Sequence, residues 1–177
     1  MDKSINLTDI KRGFPGISLT ACNNYYEACM VCLHRNQHKS KIKFELKGDI
    51  DDKITLNWEN YFDDQIDRTW QDQIYCTDHG AVCLSVLLVK KYTNYTIIQR
   101  ARIGTGFDYW LGKENEVLFQ SSARLEISGI FKESEQNSVN RRFNIKRRQT
   151  DKSDNLRLPV YISIIEFSTP KALFAKK

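Results

Sequence analysis

Between residues 63 and 167 the spacing of apolar side chains switches from a helical period to alternation and back, and few architectures accommodate that order. Ile66, Trp70 and Ile74 recur every fourth residue, and Ala81, Leu84 and Leu88 carry the stripe on, which predicts one long helix from Asp63 to about Lys90 or Tyr92. Tyr95 to Ala101 is rich in β-forming residues, Gly106 to Leu111 reads as a short strand, and Ser122 to Ile130 alternates strongly. Gly112-Lys-Glu-Asn115 should turn the chain between the last two. Ser134 to Arg148 reads as a helix with Val139 and Phe143 as its buried pair, and Pro159 to Phe167 as a buried strand. Three consecutive strands favour antiparallel pairing, whereas a strand reached through a helix pairs in parallel. The expected fold class is α+β: a mixed β-sheet flanked by helices, with an αβββαβ core.

Residues 1–60 precede that core as an elaboration, and residues 61–177 contain it. In the first part Ile17 to His38 reads as a helix, and Lys41–Lys47 with Lys53–Trp58 as a hairpin turning through Gly48 to Asp52. A chain of 177 residues, 41% hydrophobic and 28% charged, is long and apolar enough to bury one core. The start of the chain lacks the apolar stretch of a secretory signal, and the run Val82 to Val89 is too short to span a bilayer. A cytoplasmic, non-membrane protein with its five cysteines reduced is expected.

Lys and Arg outnumber Asp and Glu by 27 to 22, and the whole excess lies beyond residue 130. Its densest part holds Arg141, Arg142, Lys146, Arg147 and Arg148, a contact for phosphate or for an acidic protein partner, or else a solvated helix face.

Strand periodicity also places carboxylates, because alternate residues share a face. Phe107, Tyr109 and Leu111 form one apolar face, with Asp108 and Trp110 opposite. Leu125, Ile127 and Gly129 form another, with Arg124, Glu126 and Ser128 opposite. Asp78 continues the helical stripe and is expected to face the sheet, with Gly80 allowing close approach. Three oxygen ligands on rigid elements suit a hard divalent cation, Mg²⁺ or Mn²⁺, held by Asp78, Asp108 and Glu126. The alternative is that Glu126 pairs with Arg124 or Arg102 and that Asp108 caps a turn.

The motifs Thr77-Asp78-His-Gly-Ala81, Gly104-Thr-Gly-Phe-Asp108-Tyr-Trp-Leu111 and Ala123-Arg-Leu-Glu126-Ile-Ser128, in this order of elements, resemble those of the PD-(D/E)xK, or restriction-endonuclease-like, nucleases. The resemblance covers residues 63 to 167. It implies metal-dependent hydrolysis of nucleic-acid phosphodiesters, with DNA as the expected substrate, targeting supplied by a protein partner or a homo-oligomer, and a setting in DNA processing or anti-phage defence. It also implies catalytic roles for Asp108, Glu126 and Ser128. Ser128 stands where the family carries Lys, and it brings no positive charge. Either a cation from elsewhere, such as Lys113 or Arg124, replaces that Lys, or the chain is an inactive nuclease-fold subunit that binds nucleic acid or protein.

Two further groupings carry less. Cys29-Met-Val-Cys32 with His34 and His38 has zinc-ligand residue types but no second pair at regular spacing, and Cys76 and Cys83 near His79 sit on a helix without an activating motif. Trp58 and Trp70 read as core.

Overall fold

The computed structural model describes residues 3–113 and 120–177, and among them no helix is long and apolar enough to cross a membrane. The chain is α+β. The strands are β1 (Ser4–Asn6), β2 (Ile42–Gly48), β3 (Asp52–Asn57), β4 (Thr96–Arg100), β5 (Tyr109–Gly112), β6 (Ala123–Ile130), β7 (Val160–Glu166) and β8 (Lys171–Lys176). They form one mixed sheet in the order β1-β3-β2-β8-β7-β6-β5-β4. The helices are α1 (Leu19–Arg35), α2 (Asp64–Thr69), α3 (Gln73–Tyr92) and α4 (Val139–Gln149).

From α3 onward the elements run helix, three antiparallel strands, helix, strand, and β7 pairs with β6 in parallel. The crossover through α4 produces that direction, since a chain leaving the end of one strand must return along the sheet to its start. β8 then turns back antiparallel to β7, and β2 pairs with β8 in parallel, so the N-terminal hairpin extends the same sheet.

The helix expected from Asp63 is broken in two. Asp63 caps α2 by accepting from Ile66 N–H, and Asp72 caps α3 by accepting from Tyr75 N–H. Two N-caps within ten residues outweigh a continuous apolar spacing. Trp70, at the break, is buried and donates its indole N–H to Glu27, whereas Ile74, assigned to the same stripe, is 77% exposed.

β6 is buried at every position because helices cover both of its faces. Leu125 and Ile127 belong to the large core beneath α3. Ile130 packs with Val139, Val160, Ile162, Ile164 and the partly buried Phe143 beneath α4. Each such side chain contributes roughly 2 kcal/mol by leaving water. Gly129 brings α3 onto the sheet: a Cβ there would lie 2.6 Å from the Thr77 carbonyl oxygen. Gly80 faces elsewhere, toward the Cys29 backbone of α1, and lets the two helices close together. All five cysteines are buried and free, and Cys32 and Cys76 meet across that helix pair with their sulfurs 3.6 Å apart. There they act as small core side chains.

Candidate active site

A cavity of about 250 Å³ opens where β6 outruns its neighbour. β5 pairs with β6 only from Tyr109↔Leu125 to Leu111↔Ala123, so β6 beyond Leu125 has no strand on that edge. Asp108 lies in the bend just before β5. Its N–H donates to the Leu125 carbonyl at 2.9 Å, and its Oδ2 accepts from Ile127 N–H at 2.8 Å. A carboxylate thus completes the ladder where the strand stops, which satisfies an edge donor and fixes the side chain. The same register, continued by one residue, sets Asp108 opposite Glu126. β5 ends at Gly112 and β6 begins at Ala123, so the connection is longer than a tight turn. Half of the turn expected at Gly112–Asn115, residues 114 and 115, lies outside those described.

Glu126 is only 1% exposed and is not among the side chains that line the cavity, although its neighbours Ile127 and Ser128 are. Its Oε1 accepts from Lys146 Nζ at 2.6 Å and from Gln149 Nε2 at 3.0 Å, and its Oε2 is buried with no hydrogen-bond donor. Burial, reinforced by the neighbouring Asp108 carboxylate and opposed by Lys146, pushes the Glu126 carboxyl up to about 8. The partner of Glu126 is therefore Lys146, not Arg124 or Arg102. Arg124, 3% exposed, spends its guanidinium on Ser153 and on the Leu158 carbonyl, both at 2.6 Å.

Asp78 does not face the sheet as its spacing suggested. It is exposed, at the rim of the cavity that Asp108 also lines, while Thr77 before it takes the inward position over Gly129. Partial desolvation raises the Asp78 carboxyl against the pull of Lys146, Arg142 and His79, and Asp108 adds to the rise. Among the described residues no group of three His, Cys, Asp or Glu side chains is close enough to form a ready-made metal cluster, either here or at Cys29, Cys32, His34 and His38. Asp108 and Glu126 form a pair, and Asp78 stands off from it.

The basic helix α4 divides by face. Arg142 and Lys146 are half-buried and line the cavity, whereas Arg141, Arg147 and Arg148 are exposed. Arg142 donates to Ser128 Oγ at 3.0 Å and to Asn137 Oδ1 at 2.7 Å. Ser128 thus anchors a cation in place of being one. Neither Lys113 nor Trp110 lines the cavity; Trp110 packs edge-on against Phe107, with ring centroids 4.7 Å apart. Asp108 sits outside β5, and the strand's alternation does not reach back to it.

The rest of the cavity lining was not assigned to this site from the sequence. It holds Tyr25 of α1, His79 and Val82 of α3, Arg100 of β4 and Tyr109 of β5. His79 Nδ1 is 2.9 Å from the Tyr75 carbonyl oxygen, which makes Nδ1 the protonated nitrogen of the neutral ring. Desolvation lowers its pKa, and Arg100 lowers it further. Comparisons of the chain with protein-family models, with curated proteins and with solved structures each gave no match.

Proposed function

We propose that this chain is a metal-dependent phosphodiesterase acting on nucleic acid, a nuclease or nuclease subunit with a PD-(D/E)xK-like core working in the cytoplasm. The observation that carries this reading is the pairing of Asp108 with a buried Glu126 whose Oε2 has no donor, beside a lysine from another element. A buried carboxyl oxygen without a partner is costly, and a second carboxylate next to it makes ionisation costlier still. A divalent cation would relieve both, and the all-oxygen donor set fits Mg²⁺ or Mn²⁺.

Asp108 and Glu126 would hold the ion, with Asp78 at the rim within reach of its water shell. When bound, the metal polarises a phosphate oxygen and lowers the pKa of an attacking water. Asp108 is kept in place by Ile127 N–H, and Glu126 by Lys146 and Gln149. Lys146 supplies, from α4, the positive charge that Ser128 lacks, beside the position of a scissile phosphate. Arg142, braced by Ser128 and Asn137, offers further N–H groups to the same phosphate. Arg141, Arg147 and Arg148 extend the basic face along which a strand's backbone can run.

The test is incubation of purified protein with single- and double-stranded DNA and with RNA in Mg²⁺ or Mn²⁺, beside Asp108→Ala and Glu126→Ala. Cleavage by the parent that both substitutions abolish supports the reading. Binding without cleavage in either metal instead identifies a nuclease-fold binding subunit.

A further inference from the structure

We propose that Arg100, together with the hydroxyl pair of Tyr25 and Tyr109, forms a second anion subsite in the cavity, taking a phosphate of the substrate other than the one cleaved. This rests on the nucleic-acid reading above and adds to it a contact from the N-terminal part of the chain.

Arg100 Nη1 donates to Tyr109 Oη at 3.1 Å and to Tyr25 Oη at 3.4 Å, and the two hydroxyl oxygens are 3.0 Å apart. Two hydroxyls carry two hydrogens, and only one can lie between them. The other has no protein acceptor among the described residues, although Tyr25 and Tyr109 are only 8% and 1% exposed. A donor so placed is costly unless something accepts from it.

The guanidinium adds charge to that requirement. A guanidinium has five N–H groups, and among the described residues those of Arg100 bonded to protein belong to Nη1 and go to neutral hydroxyls. Asp108 is close enough to favour the charged form of Arg100, yet no hydrogen bond joins them, and Asp108 Oδ2 is held by Ile127 N–H. A cation without a bonded counter-ion beside an unspent O–H at the cavity wall suits an anion with several acceptor oxygens. Both tyrosines and Arg100 line the cavity that holds Asp108, as do Arg142 and Lys146. A phosphate on the near side of a polynucleotide chain meets these terms, and so does a terminal phosphate on the strand end.

The experiment is binding of a short fluorescein-labelled single-stranded oligonucleotide, with and without a terminal phosphate, followed by anisotropy over a salt series without divalent metal. Arg100→Ala is expected to weaken binding roughly tenfold and to lower the salt slope by about one. Arg100→Lys restores the slope but not the full affinity. The double variant Tyr25→Phe with Tyr109→Phe keeps both rings, unfolds with the parent, and weakens binding several-fold. Loss confined to the phosphorylated oligonucleotide assigns a terminal phosphate, and equal loss on both assigns an internal one. Parent-like affinity and slope in Arg100→Ala overturn the proposal, as does a parent that binds neither oligonucleotide. Because metal is absent, Arg100-dependent binding without cleavage activity would defeat the hydrolase reading alone. Cleavage indifferent to Arg100 would defeat the subsite alone.

Discussion

Lys146 Nζ lies 2.6 Å from Glu126 Oε1, so α4 delivers an ammonium to a carboxylate that β6 holds out of water. Removing one partner of a buried pair leaves the other uncompensated, although Glu126 can escape by taking a proton. Lys146→Ala is therefore expected to cost about 2 kcal/mol of unfolding free energy at pH 9 and far less at pH 5. Urea denaturation at the two pH values checks this. Cleavage should fall by about a hundredfold or more, with partial recovery in Lys146→Arg.

The pH dependence of stability follows from Glu126. Its carboxyl is raised from 4.5 to about 8 in the folded protein, so the native state holds the proton longer than the unfolded chain does. Stability from this group is full below the unfolded value, declines as pH rises through the window, and is lost above about 8. Metal-free protein should lose on the order of 2–4 kcal/mol between pH 5 and pH 9 relative to Glu126→Gln measured alongside. Equal slopes for the two proteins would contradict the assignment. Since an ion must displace that proton, metal-dependent cleavage should rise with pH, and the rise should move to lower pH as the metal concentration is raised.

Asp108→Asn separates chemistry from folding. The amide oxygen can still accept from Ile127 N–H, while the like charge beside Glu126 disappears. The variant should unfold at or above the parent's midpoint at pH 8 in urea, yet cleave about a thousandfold more slowly.

Gly129→Ala tests how α3 is seated. The added methyl would meet the Thr77 carbonyl oxygen at 2.6 Å, which is backbone and cannot swing away. A loss of about 2–3 kcal/mol in urea denaturation is expected, since α3 must lift from the sheet. Asp78, next to Thr77, moves with it, so cleavage should drop even at temperatures where the variant is folded.

Much of this geometry can be read from the chain. The alternation over Ala123–Ile130 gave both faces of β6, Val139 and Phe143 marked the buried side of α4, and the crossover predicted parallel pairing of β7. Other parts depend on contacts between distant segments. β8 follows Pro170 and finds its place between β7 and β2 through a parallel pairing far removed in sequence. The break before α3 was hidden because Ile74 keeps the apolar spacing while facing solvent. On α4 the cations surround the helix, and only its packing against β6 selects Arg142 and Lys146 for the cavity. Nothing local in the sequence joins Tyr25 to Arg100, because their proximity is made by α1, β4 and β5 together.

Asp108 and Glu126 are proposed to share one divalent cation, and Mn²⁺ titration followed by electron paramagnetic resonance at about pH 8.5, above the Glu126 titration, measures that directly. The parent should bind one Mn²⁺ that Mg²⁺ displaces, and both Asp108→Ala and Glu126→Ala should lose that binding while remaining folded. Undiminished Mn²⁺ binding in either variant, or no binding by the parent, would contradict it.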